Sequence, residues 1–307
     1  MKRLIIPVAV LVVIGLAWLI QSRLENKRIR GKTYENFLGL SDEEINRIDI
    51  LGPEDTLMFR LDGANWYVTI DSLYRRADTM AVRNMIKTAI DMKVGNVISQ
   101  NAERRKDFMV DDTGGNLIRF YRDDRLLSEI IIGKPANDYT HTYIRKPGED
   151  EVYLANGLLT YAYRRQKTQW FDKTIFSIPP VTINSVELDY DKKAYKLWQA
   201  DSVWFYGERP FRDSSLADTI KTRIFLTSIC NLNANDFVNA ADSGLIDFDN
   251  PSLTLKISLA DGTARSVVFS AVNEGTSRVF CRTPDFNDTF VIFRSRFDNL
   301  KKDLSGF

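Results

Sequence analysis

The chain has 307 residues, of which 44% are hydrophobic and 27% are charged, a composition typical of a globular protein and not of a disordered one. Its 42 lysines and arginines nearly balance its 41 aspartates and glutamates, for a formal net charge of +1. This balance excludes the strongly basic surface of a nucleic-acid-binding protein. The length predicts about two domains.

The N-terminus begins with an uncharged apolar run over residues 4–20, preceded by Lys2 and Arg3. A helix of this length spans roughly 26 Å, close to the thickness of a bilayer core. We predict a transmembrane anchor over residues 1–22, followed by a polar, basic stalk over residues 23–40. A cleaved signal peptide and a buried core helix are the alternatives. Basic residues after the run outnumber those before it, so the charge bias alone does not favour export.

The rest of the chain is predicted to hold two tandem copies of one domain, because its pattern recurs at a nearly constant offset. Trp66 recurs as Trp204 138 residues later, and Asp78 recurs as Asp218 140 residues later. The predicted domains are residues 41–156 and residues 181–307, joined by a helical linker over residues 157–180. A helix is expected within the linker at residues 157–167.

The first copy is predicted to consist of strands interrupted by one helix. Alternating residues 56–61 and 66–70 flank an Asp62-Gly63 turn, which predicts a hairpin. Asp78 is expected to cap a helix with apolar residues at helical spacing, Met85, Ile86, Ala89 and Met92. Further strands are predicted at residues 97–98, 117–121, 126–132, 142–145 and 152–155.

The second copy repeats this order. Asp201-Ser202 supplies the hairpin turn. Asp218 is expected to cap a helix with apolar residues at helical spacing, Phe225, Leu226, Ile229 and Leu232. Further strands are predicted at residues 237–238, 253–259, 266–269, 278–282 and 289–293. The predicted class is therefore α+β: an N-terminal transmembrane helix, then two β-rich repeats, each a mostly antiparallel sheet with one main helix.

These patterns resemble a bacterial domain of unknown function, DUF4340. In the first copy the resemblance is carried by Ile48-Asp49-Ile50, Trp66, Ala77-Asp78, residues 126–133 and Tyr143-Ile144-Arg145. In the second it is carried by Ser243-Gly244-Leu245-Ile246, Asn250-Pro251, residues 253–259 and Asp261-Gly262. The resemblance implies an envelope protein with one N-terminal span, related to gliding-motility proteins that accompany ABC-type transporters. It implies no catalytic residues.

Few side chains suggest chemistry. His141 is the single histidine and lies in a predicted strand, without the motifs of a hydrolase or a zinc site. Asp242, Asp247 and Asp249 are possible calcium ligands, but they lack the spacing of a calcium loop and favour turns.

The adjacent pairs Asp111-Asp112 and Asp123-Asp124 do not face each other as the carboxylates of a glycosidase would, so they are interpreted as turns. The two cysteines, Cys230 and Cys281, are too few for a disulfide framework and are interpreted as apolar side chains, although an oxidising compartment would allow them to pair.

Aromatic and basic clusters have two interpretations each. Trp66, Trp198 and Trp204 would form a glycan platform if exposed, but the recurrence of Trp66 and Trp204 in alternating strands favours core packing. The clusters Arg104-Arg105-Lys106 and Arg164-Arg165 are interpreted as solvated surface, with contact to anionic lipid headgroups as the alternative.

The sequence therefore predicts no catalytic, cofactor-binding or metal-binding residues. The leading hypothesis is a non-enzymatic, membrane-anchored envelope protein that serves as an interaction platform, as an auxiliary of a transporter-like or gliding-type complex. The alternative is an extracytoplasmic module that binds a small molecule or glycan in the groove between the repeats. The expected location is the inner membrane, with the body of the protein outside the cytoplasm, and the expected partner is another envelope protein rather than nucleic acid.

Overall fold

The structure is a computed structural model that describes residues 34–42, 45–210, 213–272 and 275–301. The chain divides into two compact units, Met1–Asp172 (unit 1) and Lys173–Phe307 (unit 2). The division falls within the segment predicted to link the two repeats.

Unit 1 is built on one antiparallel sheet of nine strands. The strands are β1 (Arg47–Leu51), β2 (Thr56–Asp62), β3 (Asn65–Ile70), β4 (Leu73–Arg76), β5 (Val94–Ser99), β6 (Asn116–Arg122), β7 (Arg125–Pro135), β8 (His141–Arg145) and β9 (Val152–Asn156). Their order across the sheet is β4-β3-β2-β1-β6-β7-β8-β9-β5. Local turn chemistry sets the hairpins: Gly63 takes a positive φ of 58° between β2 and β3, a conformation that glycine adopts without steric cost.

One 12-residue helix, α1 (Thr79–Ile90), packs on this sheet. Its N-terminus is capped by Asp78, whose carboxylate accepts hydrogen bonds from the backbone N–H groups of Met80 and Ala81, as preferred at this position. Met85, Ile86 and Ala89 are buried at helical spacing, so the predicted cap and core face are confirmed. A second helix, α2 (Thr160–Tyr163), is a single turn.

Unit 2 has a nine-stranded antiparallel sheet of the same strand order, β14-β13-β12-β11-β17-β18-β19-β20-β16. The strands of this unit are β10 (Thr174–Ser177), β11 (Ile183–Tyr190), β12 (Lys193–Ala200), β13 (Val203–Glu208), β14 (Ser215–Leu216), β15 (Asn231–Asn233), β16 (Asp236–Phe237), β17 (Leu253–Leu259), β18 (Ala264–Phe269), β19 (Arg278–Arg282) and β20 (Phe290–Phe293). Strands β10 and β15 form a separate two-stranded sheet. The helices are α3 (Thr219–Cys230) and α4 (Arg294–Leu300).

The segment that enters each unit pairs with the chain just after the 12-residue helix. In unit 1, Tyr34 exchanges backbone hydrogen bonds of 2.8 and 3.0 Å with Val94, and Leu38 and Leu40 are buried. In unit 2, β10 pairs with β15 in the corresponding place. Residues 34–40 therefore pack onto unit 1 through backbone pairing and apolar burial, and they do not form the predicted stalk.

The predicted α+β class is wrong, because the chain is mostly antiparallel β-sheet. The edge strands β4 and β14 have no clear pattern in the sequence and form by pairing with their neighbours. The helix expected over residues 157–167 is only the four residues of α2. Within the described ranges, every helix is too short or too polar to cross a bilayer. The predicted span at residues 4–20 and the stalk up to residue 33 lie outside the described residues.

The equal strand order of the two sheets fits the predicted duplication, and so do the two aspartate caps. The hydrogen bonds that close each hairpin also match: the Ala77 N–H donates to the Trp66 carbonyl at 2.8 Å, and the Ala217 N–H to the Trp204 carbonyl at 2.9 Å. Common ancestry of the two units stays a prediction.

Candidate functional site

His141 begins strand β8 and lies beside Asp138. Its Nδ1 is 2.6 Å from Asp138 Oδ2, while Asp138 Oδ1 accepts the backbone N–H groups of Thr140 and His141. These backbone hydrogen bonds, that of Thr140 first, lower the pKa of Asp138. The pair closes the loop before β8, and Thr140 Oγ1 is 3.0 Å from the same ring nitrogen.

The acidic run in unit 2 does not converge on one point. Asp242 is buried and forms a two-pronged ion pair with Arg278, with oxygen–nitrogen distances of 2.7 and 3.0 Å. Asp247 accepts the backbone N–H groups of Asp249 and Asn250 in a turn. Across the described ranges, histidine, cysteine and acidic residues form no group of three that could hold a metal ion.

The paired aspartates of unit 1 lie in two turns. Asp123 exchanges hydrogen bonds with the Asn46 side chain, each 2.7 Å long, and Asp124 is 3.6 Å from Arg47. Asp111 accepts the hydroxyl of Thr113 at 2.6 Å and the N–H groups of Thr113 and Gly114. The Thr113 hydroxyl is the main cause of the lowered pKa of Asp111.

Substitution of Thr113 by valine is expected to raise the pKa of Asp111 toward its ordinary value, because the hydroxyl donor is lost. A carboxyl group whose folded pKa is depressed stabilises the fold above its unfolded pKa, and this stabilisation is lost as pH falls through the folded pKa. The T113V variant should therefore unfold at a higher pH on acidification. Carboxyl carbon NMR titration measures the shift, with Asp261, which accepts Thr263 in a like turn, as the internal control. An unchanged Asp111 titration would contradict the assignment.

Both cysteines are free and buried. Burial raises the pKa of each thiol, that of Cys281 the more strongly, which suppresses the reactive thiolate.

The tryptophans divide between core and surface. Trp66 is buried in β3, as predicted. Trp204, at the same place in β13, is only half-buried, so the predicted equivalence of the two side chains is wrong. Trp198 stacks on its cross-strand neighbour Phe205, with ring centroids 6.1 Å apart.

Two of the three basic residues at 104–106, Arg104 and Arg105, form contacts within unit 1. Arg104 pairs with Asp107 at 3.3 Å and lies over the Phe108 ring. Arg105 contacts Asp150 and the Glu149 carbonyl oxygen. These contacts favour a structural role over lipid binding.

An apolar surface on unit 2 is the strongest candidate for a functional site. Leu216, Ile220 and Ile224 are 70%, 61% and 58% exposed. Leu216 ends β14, two residues before the Asp218 cap, and the isoleucines follow it by four and eight positions. Ile220 and Ile224 are four apart in α3 and lie on one helix face. Together with Leu216, which precedes the helix, they are here called the α3 face.

The opposite side of α3 is buried within unit 2. Thr222, Phe225, Leu226, Ile229 and Cys230 are buried, so the helix is apolar on two sides and needs only one of them for its unit. The exposed Arg223 flanks the α3 face and has no ion-pair partner within the described ranges.

Helix α1 of unit 1 can be compared with α3 at matching positions. At the positions set by the aspartate caps, α1 and its approach carry Arg76, Met80 and Asn84 where unit 2 carries Leu216, Ile220 and Ile224. Two of the three positions are thus polar in unit 1. Unit 1 therefore forms the same strand order and helix with only one apolar side chain at these positions.

Sequence reasoning missed this surface. Ile220 and Ile224 stand in a helix whose buried face was recognised from Phe225, Leu226 and Ile229. The available signal was that the isoleucines fall outside that face while the aligned residues of the first copy are largely polar.

Comparison with protein families gives one match. The family model described as domain of unknown function DUF4340 matches residues 66–251. The chain belongs to the DUF4340 family. The match is one continuous stretch from β3 of unit 1 into unit 2. The resemblance implies instead one copy of the domain in each repeat. No curated protein matches this DUF4340 chain.

Proposed function

We propose that this DUF4340 protein is a non-enzymatic, membrane-anchored protein of the cell envelope and an interaction platform for a protein partner. Anchoring is supported by the uncharged run at residues 4–20. Residence in the inner membrane with an extracytoplasmic body is supported by the resemblance to envelope proteins. The observation that carries the platform role is the α3 face.

The partner is an envelope protein that presents an apolar helix face with an acidic neighbour. Side chains spaced i and i+4 form the ridges that pack into grooves of another helix. Arg223 beside the α3 face favours a carboxylate on the partner. By analogy with the related gliding-type proteins, the partner belongs to an ABC-transporter-like complex.

Substitution of Ile224 by asparagine, the residue at the matching place in α1, is expected to lower partner capture by about tenfold or more. Burial of one isoleucine contributes roughly 1.5–3 kcal/mol. The full-length protein carries a photo-crosslinker at position 220, and crosslinked partner is quantified from intact membranes. Because Ile224 is exposed, the variant should unfold at the wild-type temperature.

The matched control is Met80→Asn on α1, which removes an apolar side chain that is more exposed than Ile224 (73% against 58%) and lies outside the α3 face. It should leave capture unchanged. Equal crosslinking by wild type and the Ile224→Asn variant, or an equal loss in the control, contradicts a docking role for the α3 face.

A further inference from the structure

A small cavity of about 120 Å³ lies in unit 1, between the β1–β2 turn and the segment that follows α2. Gly52, Asn116 and Arg165 are among the residues that line it. Its volume is well below the 300–1,000 Å³ typical of sites for drug-sized ligands. Only a ligand of a few heavy atoms fits.

Arg165 lines this cavity and has no ion-pair partner within the described ranges. It is half-buried, and its guanidinium carbon lies 5.2 Å from the ring centroid of Trp170. Its Nε is buried and has no hydrogen-bond acceptor among the described residues. A buried donor without an acceptor is costly in a folded protein, so this Nε favours binding of an acceptor.

The acidic side chains at the cavity do not supply that acceptor. Asp55 is 2.7 Å from Lys167 Nζ, which also contacts Asp71, and these carboxylates raise the pKa of Lys167. Glu54 is exposed to solvent. Arg164 is exposed too and lacks an ion-pair partner within the described ranges, so Arg164 and Arg165 leave one positive charge in excess over the carboxylate of Glu54.

The opposite wall is polar and close-fitting. The buried Asn116 brings its amide to the cavity, and its Oδ1 lies only 2.8 Å from where a Cβ on Gly52 would stand. A larger residue at position 52 would press on this amide. The lining therefore includes a polar side chain, that of Asn116, together with Arg165.

We propose that this cavity binds a small oxyanion, a carboxylate or a phosphate group, through the guanidinium of Arg165 with Arg164 as a second positive charge. The planar fork of arginine matches two oxygens of such an anion, and Trp170 supports the guanidinium from its face. The site is independent of the α3 face, which belongs to unit 2.

The test uses the full-length protein in detergent, labelled with fluorotryptophan and titrated with phosphate or acetate at constant ionic strength. The chain has five tryptophans, and a Trp170→Phe variant assigns the Trp170 signal. We expect a saturable shift of the Trp170 signal and none of the Trp66 signal. Arg165→Gln should weaken binding by roughly tenfold or more, Arg165→Lys by less, and Arg223→Gln on α3 should not weaken it.

Two further arms identify the source of the anion. A shift with free phosphate or acetate points to a dissolved anion, and a shift only with phosphatidylglycerol vesicles, against phosphatidylcholine vesicles, points to a lipid headgroup. Either result supports an oxyanion site. The proposal is overturned if no probe shifts Trp170 beyond a chloride blank, or if Arg165→Gln binds as the wild type does.

Discussion

Replacement of Trp170 by alanine is expected to lower the free energy of unfolding of unit 1 by roughly 3–5 kcal/mol, the usual cost of deleting a large aromatic side chain from a core. Trp170 is 1% exposed and packs edge-on against Phe59, with ring centroids 5.1 Å apart. Its backbone carbonyl accepts the N–H of Asp78, which links this segment to the cap of α1.

The measurement is hydrogen exchange followed by mass spectrometry in increasing denaturant, because it reports each unit separately. Protection of unit 1 strands should fall, and that of unit 2 strands should not. Trp204→Ala is the matched control: its side chain is half-buried, so the loss in unit 2 should be smaller. Equal losses from the two variants would show that the packing of Trp170 is misassigned.

Replacement of Arg145 by methionine is expected to destabilise unit 1 by roughly 3–5 kcal/mol, because two hydrogen bonds from a charged guanidinium are lost and each contributes about 1.5–3 kcal/mol. Arg145 is 1% exposed, and its guanidinium donates to the carbonyl oxygens of Val110 at 2.7 Å and Glu149 at 3.1 Å. Methionine keeps the apolar stem but leaves the carbonyl oxygen of the buried Val110 without a donor, which costs about 1–3 kcal/mol.

The carbonyl contacts, rather than the ion pair, should carry most of this effect. Arg145 also contacts Asp112, but that carboxylate is 78% exposed, and ion pairs exposed to water contribute only about 0–1 kcal/mol. Asp112→Asn should therefore change the stability little. A denaturant midpoint of Asp112→Asn as low as that of Arg145→Met would reverse this ranking.

Arg282 provides a control at the matching position of unit 2. It ends β19 as Arg145 ends β8, yet it is exposed and lies over the ring of Phe248, 4.4 Å from its centroid. An exposed cation–π contact contributes about 0.5–1 kcal/mol, so Arg282→Met should be mild. The aromatic Phe248 replaces the carboxylate of Asp112 as the partner of the arginine.

The comparison of Arg145 with Arg282 also shows where sequence reasoning stops. Both arginines belong to segments that match along the chain, and nothing in either segment tells a buried side chain from an exposed one. Burial depends on which remote loop covers the strand end. In unit 1 that loop supplies the carbonyl oxygen of Val110, and in unit 2 it supplies the ring of Phe248.

The candidate sites show the same limit. The α3 face could have been suspected from the chain, since its isoleucines fall outside the buried side of the helix. The cavity at Arg165 could not, because it joins β1, β6 and the segment after α2, three parts of the chain that are distant in sequence.

The sequence by itself determined the local structure: the aspartate caps of α1 and α3, the two-residue hairpin turns such as Asp201-Ser202, and the alternation that marks strands such as β17. Each of these depends on residues only a few positions apart. Only the tertiary structure decided the mostly β class, the edge strands β4 and β14, the half-exposure of Trp204 and the burial of Trp170. These depend on contacts between distant segments, whose energies no local pattern contains.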